Sequence, residues 1–226
     1  MTDVRFFTGS GHSEAIARAC AKAMGEAALP IGEPLRENAV LLLVFPVYCE
    51  RVPPPVADYL KMCGAERAAF VACYGGMSYG RALYDAKTLF RGTVVGAAYL
   101  PAGHAYTKDG FPFDEAALAP LFEKVRSGES SPAVIPKGKR HVFSGAPALR
   151  SRLGVKLVRS SRCSGCGVCE RACPMHAMHA GKPDSRCIRC LRCVRVCPEG
   201  ALSFRLSPLL KAYLRRRRTN ETRLFL

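Results

Sequence analysis

Tryptophan is absent from the 226-residue chain, and aromatic residues make up only 8% of it. Any aromatic surface that stacks on a planar ligand must therefore be built chiefly from tyrosine. Long hydrophobic runs are also missing, because the longest, Ala39 to Cys49, contains a proline and is too short to span a bilayer. The opening residues, MTDVRFFTGS, carry Asp3 and Arg5 and lack the apolar core of a secretory signal. We expect neither a membrane-spanning segment nor export.

Acidic residues are scarce in the second half of the chain. Residues 1–128 hold 13 lysines and arginines against 13 aspartates and glutamates, whereas residues 129–226 hold 21 against 5. The second part therefore accounts for the whole net charge of +16. Such a basic surface favours an anionic partner: an acidic protein, an anionic membrane surface or a nucleic acid.

Cysteine is abundant, with 12 residues, and it divides along the same line. Four cysteines are scattered through the first part, and the other eight stand in close order between residues 163 and 197. Because no export is expected, a disulfide framework is disfavoured, and metal or redox chemistry in the reducing cytoplasm is preferred. The hydrophobic content of 49% and the charged content of 23% are typical of a soluble chain with one larger core and a smaller module.

The eight close cysteines belong to an internal duplication. The segment CSGCGVCERACPMHAM, from Cys163 to Met178, aligns with CIRCLRCVRVCPEGAL, from Cys187 to Leu202. Each copy contains C-x2-C-x2-C-x3-C-P, the bacterial ferredoxin pattern in which three thiolates hold one [4Fe-4S] cluster and the fourth holds the other. A zinc site typically pairs two C-x2-C knuckles and does not explain the third cysteine, the Cys-Pro or the second copy. The sequence therefore predicts two [4Fe-4S] clusters.

The ligand sets follow from the resemblance to bacterial two-cluster ferredoxins. That resemblance implies a first cluster on Cys163, Cys166, Cys169 and Cys197, and a second on Cys187, Cys190, Cys193 and Cys173. Since eight cysteines already supply all the ligands, His176 and His179 are expected to be exposed polar residues of the connecting loop.

The two cluster loops differ in side-chain size. Small residues in the first loop leave room for backbone N–H groups to point at cluster sulfurs. These residues are Ser164, Gly165 and Gly167, and their counterparts in the second copy are Ile188, Arg189 and Leu191. The difference predicts unequal potentials, with a sign that the sequence leaves open.

The first part of the chain opens with a strand, a hydroxyl-rich loop and a helix. The segment VRFFTGSGHSEAIARACAKAM predicts a loop at Thr8–Ser13 and a helix with apolar positions at Ala15, Ile16, Ala19 and Ala23. Backbone N–H groups, hydroxyls and the helix dipole make such a loop suitable for a phosphate. The loop lacks the lysine of a Walker motif and the third glycine of a dinucleotide fingerprint. A plain helix cap is the alternative.

Two more strand-loop-helix units follow. One has a buried strand from Ala39 to Phe45 and a loop from Pro46 to Val52, and the next has a strand ending at Tyr74 and a loop from Gly75 to Gly80. TVVGAAYLP predicts a further strand, whereas EAALPIGEPLREN leaves room for only a brief second strand. Alternating strands and helices predict a parallel sheet, with all three loops at its carboxyl edge.

The three loops resemble those of flavodoxins. FFTGSGHSEAIA resembles the phosphate loop, although His12 stands where asparagine is frequent and Ser13 where threonine is frequent, and LVFPVYCERVPPPV and VACYGGMSYG resemble the second and third flavin loops. The resemblance implies an α/β fold, a flavodoxin-like doubly wound parallel sheet followed by a small α+β two-cluster ferredoxin domain. Over about residues 1–206 the arrangement is similar to the flavodoxin-ferredoxin fusion proteins of anaerobic bacteria and archaea.

This resemblance also implies FMN as a cofactor. It places Tyr48 as the best candidate for stacking on the isoalloxazine, and Cys49 beside the ring as either a redox thiol or a small buried residue. The residues implied to surround the phosphate are Thr8, Gly9, Ser10, Gly11, His12 and Ser13. Those implied to line the ring are Pro46, Val47, Tyr48, Cys49, Tyr74, Gly75, Gly76, Met77, Ser78 and Tyr79.

The expected organisation has four parts. Residues 1–128 form the flavodoxin-like FMN domain, 129–152 a linker, 153–206 the ferredoxin domain, and 207–226 a basic tail. The tail predicts a helix that ends in the basic run Arg215–Arg218, and its apolar face is Leu206, Leu209, Leu210, Tyr213 and Leu214. The run is either a solvated helix end or a docking element.

Three function classes are compatible with these features. The first is an electron-transfer protein that passes electrons between FMN, the clusters and a partner with an acidic docking surface. The second is an enzyme that reduces a small substrate at the flavin, for which His104, Tyr106 and Lys108 are the nearby candidates. The third is a nucleic-acid binder, which no recognised motif supports. We expect the first, with no nucleic acid and at most peripheral membrane contact.

Overall fold

The fold is taken from a computed structural model that describes residues 1–107, 110–138, 147–216 and 219–226. Two compact units divide the chain, one of Met1–His141 with Arg218–Leu226 and one of Val142–Arg217. The second unit is therefore an insertion in the chain of the first. Several residues singled out above, Lys108, Arg217, Arg218 and the middle of the expected linker at 139–146, lie outside the described residues.

The first unit alternates strands and helices as the sequence predicts. Its elements up to residue 127 are β1 (Thr2–Phe6), α1 (His12–Met24), β2 (Ala28–Pro30), β3 (Val40–Pro46), α2 (Pro54–Met62), β4 (Arg67–Tyr74), α3 (Ala82–Leu89), β5 (Thr93–Pro101), a 3-10 turn (Ala116–Leu118) and α4 (Ala119–Ser127). Proline opens α2, where a missing N–H costs nothing, and Gly25 in the left-handed conformation ends α1.

The second unit contains the duplicated cysteine segment. Its elements are α5 (Pro147–Gly154), β6 (Val155–Arg159), α6 (Val168–Arg171), β7 (Met178–His179), β8 (Lys182–Pro183), α7 (Arg192–Arg195), β9 (Leu202–Leu206) and α8 (Pro208–Leu214). Strand β6 pairs antiparallel with β9, and β7 pairs antiparallel with β8. The short helices α6 and α7 occupy equivalent places in the two copies, so the duplication is structural as well as sequential.

A last strand, β10 (Arg223–Phe225), completes the sheet of the first unit. The six strands lie in the order β10-β5-β4-β3-β1-β2, and every pair is parallel except β10 with β5. The expectation of a mostly parallel α/β sheet is therefore confirmed, and β2 is brief, with three residues. Strand order reverses between β1 and β3, and in open α/β sheets ligands bind at the carboxyl end of such a reversal.

Burial explains why the central strands were predictable. Strand β3, VLLLVFP, and strand β4, RAAFVACY, are almost continuously apolar and buried, as expected for parallel strands covered on both faces. The inward face of α1 differs from the expectation, because Ala15 is exposed while Ile16, Ala17, Cys20 and Ala21 are buried. Alanine is small enough for either environment, so its spacing does not fix the rotation of a helix.

The C-terminal residues form two elements rather than one tail. Helix α8 exists, but Leu209 on its expected apolar face is 84% exposed, whereas Leu214 is buried. Beyond it, Leu224 lies opposite Ala98 in the antiparallel ladder of β10 and β5. None of the helices in the described part of the chain combines the length and hydropathy needed to cross a bilayer.

Candidate functional site

The eight clustered cysteines form two groups in the second unit. Cys163, Cys166 and Cys169 line one cavity together with Cys197, which comes from the other copy. Cys173 packs in an apolar cluster with Cys187 and Cys193, against which Cys169 and Cys197 also pack, and, beside burial, the nearby Cys187 and Cys173 thiols contribute to the raised pKa of Cys190. Each group thus combines three cysteines of one copy with the last cysteine of the other. We call them the first cluster site and the second cluster site.

Backbone conformation repeats between the two cluster loops. Gly165 and Gly167 have φ angles of 75° and 72°, and Arg189 and Leu191 at the equivalent positions have 56° and 63°. Left-handed backbone is unfavourable for residues with a Cβ, so its retention by an arginine and a leucine indicates that the loop shape itself is required.

Backbone amides also reach the sulfurs in a repeated manner. The Ala177 N–H donates to Cys173 Sγ at 3.3 Å, and the Ala201 N–H donates to Cys197 Sγ at the same distance. Hydrogen bonds to ligand sulfurs stabilise the anionic thiolate and set the potential of iron-sulfur clusters. Both cysteines that cross between copies therefore carry the same supporting bond.

Two buried thiols of the second cluster site have raised pKa values. Burial, with the neighbouring thiols, raises the pKa of Cys190 to about 11 and that of Cys193 to about 12. These groups are protonated at neutral pH unless a metal takes the place of the proton, so ligand binding must release protons. None of the twelve cysteines forms a disulfide within the described ranges.

The donor set fits a cubane cluster. All eight grouped residues are cysteines, the ligands that [4Fe-4S] clusters use, and each group contains four of them. In the described ranges no three histidine, cysteine or acidic side chains converge on one metal ion. A cubane does not require such convergence, because each thiolate binds a different iron atom.

The sheet edge of the first unit carries the loop from Thr8 to Gly11. The Gly11 N–H donates to Thr8 Oγ1 at 3.0 Å, and Ser10 Oγ lies 3.0 Å from His12 Nδ1. Gly11, with a φ of 101°, is the N-cap of α1, and this glycine contributes no side-chain hydrogen bond to the start of the helix. Ser13 is instead buried and hydrogen bonded to Cys73, whose pKa burial raises to about 12.

The second loop contains a tight reversal at Tyr48–Arg51. Tyr48 and Arg51 exchange backbone hydrogen bonds of 3.1 and 3.0 Å, and the two residues between them, Cys49 and Glu50, have φ angles of 48° and 66°. Two consecutive left-handed residues define a type I′ turn, which normally contains glycine or asparagine. Half-buried Tyr48 and Cys49 are thereby presented at the sheet edge.

Close contacts bring the three loops together with a fourth. The His12 ring packs closely on the backbone of Gly103, and the His104 ring packs closely on that of Gly75. In both cases a side chain in place of the glycine would bring its Cβ to 2.4 Å from the ring. Gly80 approaches Glu50 equally closely, and the Arg81 N–H donates to the Glu50 carbonyl. Residues 102–106 therefore connect the first loop to the third, a role that the sequence did not indicate.

Two of the aromatic residues implied to line a flavin, Tyr74 and Tyr79, contact other residues of the first unit. Tyr74 is 1% exposed, and its hydroxyl donates to the Glu221 carbonyl at 2.7 Å. Tyr79 stacks on Tyr99 with ring centroids 4.0 Å apart, and the Thr219 N–H donates to the Gly76 carbonyl at 2.8 Å. The C-terminal residues thus brace the third loop, and both tyrosines already contact other groups of the protein.

The hypothesis of acid-base residues near the loops concerns His104 and Tyr106. Their rings lie 5.2 Å apart at a tilted angle, and the Tyr106 N–H donates to His104 Nδ1 at 3.3 Å. The His104 side chain also packs on Gly75. The structure therefore brings this imidazole to the third loop.

Comparisons with known proteins bear on the second unit. The family model of the 4Fe-4S binding domain matches residues 157–179 and 183–203, one segment for each copy. A search of curated proteins and a search of solved structures found no match to the chain. The chain therefore contains a 4Fe-4S ferredoxin region, which indicates cluster binding and iron-sulfur electron transfer.

Proposed function

We propose that the protein carries electrons between an FMN held by the first unit, two [4Fe-4S] clusters held by the second, and an external redox protein. The observation that carries the proposal is the cavity in which Cys197 joins Cys163, Cys166 and Cys169. Exchange of the fourth cysteine between copies is the arrangement of two-cluster ferredoxins. FMN would supply a centre that takes up two electrons and releases them singly.

Metal analysis and two cysteine variants test the cluster assignment. Anaerobically purified protein should contain about eight iron and eight sulfide ions, as expected for two cubane clusters. Cys173→Ser should impair the second cluster and Cys197→Ser the first, which EPR of the reduced protein distinguishes. One zinc ion without sulfide, or damage confined to the cluster of the mutated copy, would contradict the proposal.

Three features support FMN in the first unit. The parallel strands follow the order 2-1-3-4-5 known from flavodoxin-like sheets, the three candidate loops meet at the carboxyl edge, and α1 begins there with a glycine N-cap. Thr8, Ser10 and the N–H groups that follow Gly11 would bind the phosphate. Tyr48, on its type I′ turn, would stack on the ring.

Selective binding of the phosphate tests this part of the proposal. FMN should bind more tightly than riboflavin, because the loop donors and the helix dipole act on the phosphate alone. Ser10→Ala should weaken FMN binding and leave riboflavin binding unchanged. Ser13→Ala is the matched control, since Ser13 is buried against Cys73 and should affect both ligands equally through stability. Equal affinities for FMN and riboflavin would rule out the phosphate role.

Transfer between the cofactors requires the whole chain. A truncation at Gly128 would also remove β10 from the sheet, so the better variant keeps every residue and replaces cluster cysteines. In stopped-flow mixing with a reduced ferredoxin, flavin reduction should slow strongly when Cys163 and Cys187 are both changed to Ala. Unchanged flavin reduction would show that electrons bypass the clusters.

A second candidate is a ferredoxin-dependent enzyme that reduces a small substrate at the FMN. The contact of the His104 ring with Gly75 favours it, because it places a proton-transferring group at the third loop. His104→Gln should then slow reoxidation of the reduced protein by the substrate while leaving flavin reduction unchanged. An equal effect on both rates would favour the carrier function.

A further inference from the structure

The two cluster sites differ in the exposure of their ligands. In the first site Cys166 is exposed and the other three cysteines are half-buried. In the second site each cysteine is only 7 to 8% exposed. Because electron transfer between proteins slows steeply with distance, the site whose ligands reach the surface controls exchange with an external protein.

Loop composition produces this difference. The first loop presents Ser164 and Gly165, which are exposed and have little or no side chain. Their counterparts Ile188 and Arg189 are half-buried, and Leu191 is 5% exposed. Large side chains therefore occupy these three positions of the second loop, whereas the first loop has only Ser164, Gly165 and Gly167 there, with the Arg171 guanidinium close to Gly167.

Three exposed arginines stand at the rim of the first site. Arg159 donates to the Ala180 carbonyl at 2.9 Å, Arg162 to the Gly200 carbonyl at 2.8 Å, and Arg171 to the Cys166 carbonyl at 3.3 Å. Ala180 and Cys166 themselves line the cavity. Held by these bonds, the guanidinium groups lose less side-chain entropy when they meet an anionic surface. We call Arg159, Arg162 and Arg171 the rim arginines.

Acidic residues at the same rim only partly offset this charge. Glu170 accepts a 2.6 Å hydrogen bond from the Ala180 N–H, and Glu199 is exposed at the cavity. Among the side chains alone, three guanidinium groups exceed two carboxylates, while a bound cluster with its four thiolates would add formally about −2. Residues 147–216 of the second unit hold 15 lysines and arginines against 3 aspartates and glutamates, the rim residues included. Charge complementarity therefore points to an acidic partner.

We propose that the rim arginines and the exposed loop at Cys166 are the surface through which the ferredoxin region exchanges electrons with an acidic redox protein. The inference rests on the proposed cluster function and adds the route of exchange. Electrons enter and leave the ferredoxin region through the first cluster, while the second cluster holds them away from solvent. Each encounter moves one electron from the reduced centre to the oxidised one, and no bond has to form or break.

Charged reductants and a matched pair of variants test the surface. Arg171→Glu reverses a charge at the first site, and Arg195→Glu reverses its exposed counterpart at the second. Stopped-flow bleaching of the clusters is followed with dithionite, which acts as the SO2 radical anion and ends as sulfite, and with the methyl viologen radical cation, which ends as the dication. A reduced plant-type [2Fe-2S] ferredoxin with an acidic surface serves as the protein probe.

Arg171→Glu should slow the anionic reductant and the acidic ferredoxin about fivefold at low salt, and speed the cationic reductant by a similar factor. Arg171→Lys should restore all three rates, and high salt should remove the differences. Arg195→Glu should change each rate less than about twofold, because charge steering acts at the point of encounter.

Equal effects of Arg195→Glu and Arg171→Glu would overturn the proposal. So would an Arg171→Glu variant that lost binding to anionic vesicles while its rate with the acidic ferredoxin stayed the same. Protein without cluster iron would refute the proposed function itself. A fully loaded protein that shows no dependence on Arg171 would refute only the docking surface.

Discussion

A buried ion pair shows how single residues constrain the first unit. Arg5 is 1% exposed and Asp3 is 3% exposed, and Arg5 Nη2 donates to Asp3 Oδ2 at 2.9 Å. Arg36 donates to the same carboxylate from its backbone N–H and from Nε. Within the described residues, Nε and Nη1 of Arg5 have no hydrogen-bond partner. The carboxylate of Asp3 therefore compensates a cation that is only partly solvated by the protein.

Removing that carboxylate should be costly. Asp3→Ala leaves Arg5 as an unpaired buried charge, so the free energy of unfolding should fall by about 3–5 kcal/mol in urea titrations of the full chain. The double variant Asp3→Leu with Arg5→Met, which removes both charges, should recover more than half of the loss. A double variant as unstable as Asp3→Ala would show that shape, not charge, is responsible.

The pH dependence of stability follows from the same carboxylate. Burial raises the pKa of Asp3, but the hydrogen bonds from Arg36 and the charges of Arg5 and Arg36 together hold it below the usual value of 3.8. A lowered pKa in the folded state means that the stabilisation is complete above pH 4 and is lost as the pH falls below it. Asp3→Ala should therefore flatten the acid limb of a stability-pH curve.

Left-handed residues at equivalent positions of the two copies offer a second test at this scale. His176 has a φ of 47° and its counterpart Gly200 one of 53°, and both are exposed. His176→Gly should stabilise the loaded protein, and Gly200→Ala should destabilise it by about 1 kcal/mol, because only glycine adopts this conformation without strain. A Cβ on Gly200 would lie 3.7 Å from Arg162 Nη2, so steric overlap does not contribute. Thermal unfolding under anaerobic conditions measures both changes.

Secondary-structure elements with a long apolar run could be predicted from the sequence, and short elements without such a run could not. TVVGAAYLP was predicted as a strand and is β5, since an uninterrupted apolar run has few alternatives. The three-residue β10 follows a basic run and carries no such signal, so the sequence placed it in a tail. Cysteine spacing predicted the duplicated cysteine loops, but not that Cys166 would be exposed while Cys187, Cys190 and Cys193 are buried. Exposure depends on distant packing, which local patterns do not contain.

Deleting residues 219–226 tests the contribution of β10 to the first unit. The deletion removes the ladder opposite Ala97 to Tyr99 and the carbonyl that accepts from Tyr74, so the melting temperature of the first unit should fall by several degrees. The point variant Tyr74→Phe removes only the hydroxyl, and it should cost about 1 kcal/mol. If the deletion were as mild as the point variant, pairing of β10 would contribute little in solution.

At the scale of the whole molecule, the cores inside the two units differ in composition. The core of the first includes the buried strands β3, β4 and β5 with the apolar faces of α1 and α4. The core of the second consists of Cys173, Cys187 and Cys193 with Ala177, Met178 and Leu202. Half of that small core is therefore made of cysteines that we propose as cluster ligands.

Iron removal should consequently destabilise the second unit without destabilising the first. Without iron the buried thiols of the second unit lose the bonds that hold them together, and metal binding energy is folding energy in such domains. Anaerobic chelation should unfold the second unit and leave the helical and strand signals of the first, which circular dichroism and amide exchange report separately. Loss of protection in β3 and β4 on chelation would show that the first sheet depends on the clusters.

The place of β10 in the chain also fixes the order of events during synthesis. At about 5–20 residues per second, the ribosome needs roughly 6–24 s to add the roughly 120 residues between β5 and β10. Throughout that interval the edge of β5 from Ala97 to Tyr99 lacks its partner strand, and both cysteine loops emerge before β10. Cluster assembly on the nascent chain can thus begin while the first sheet is unfinished, and a pause in translation after the cysteines would prolong the exposure of an aggregation-prone edge.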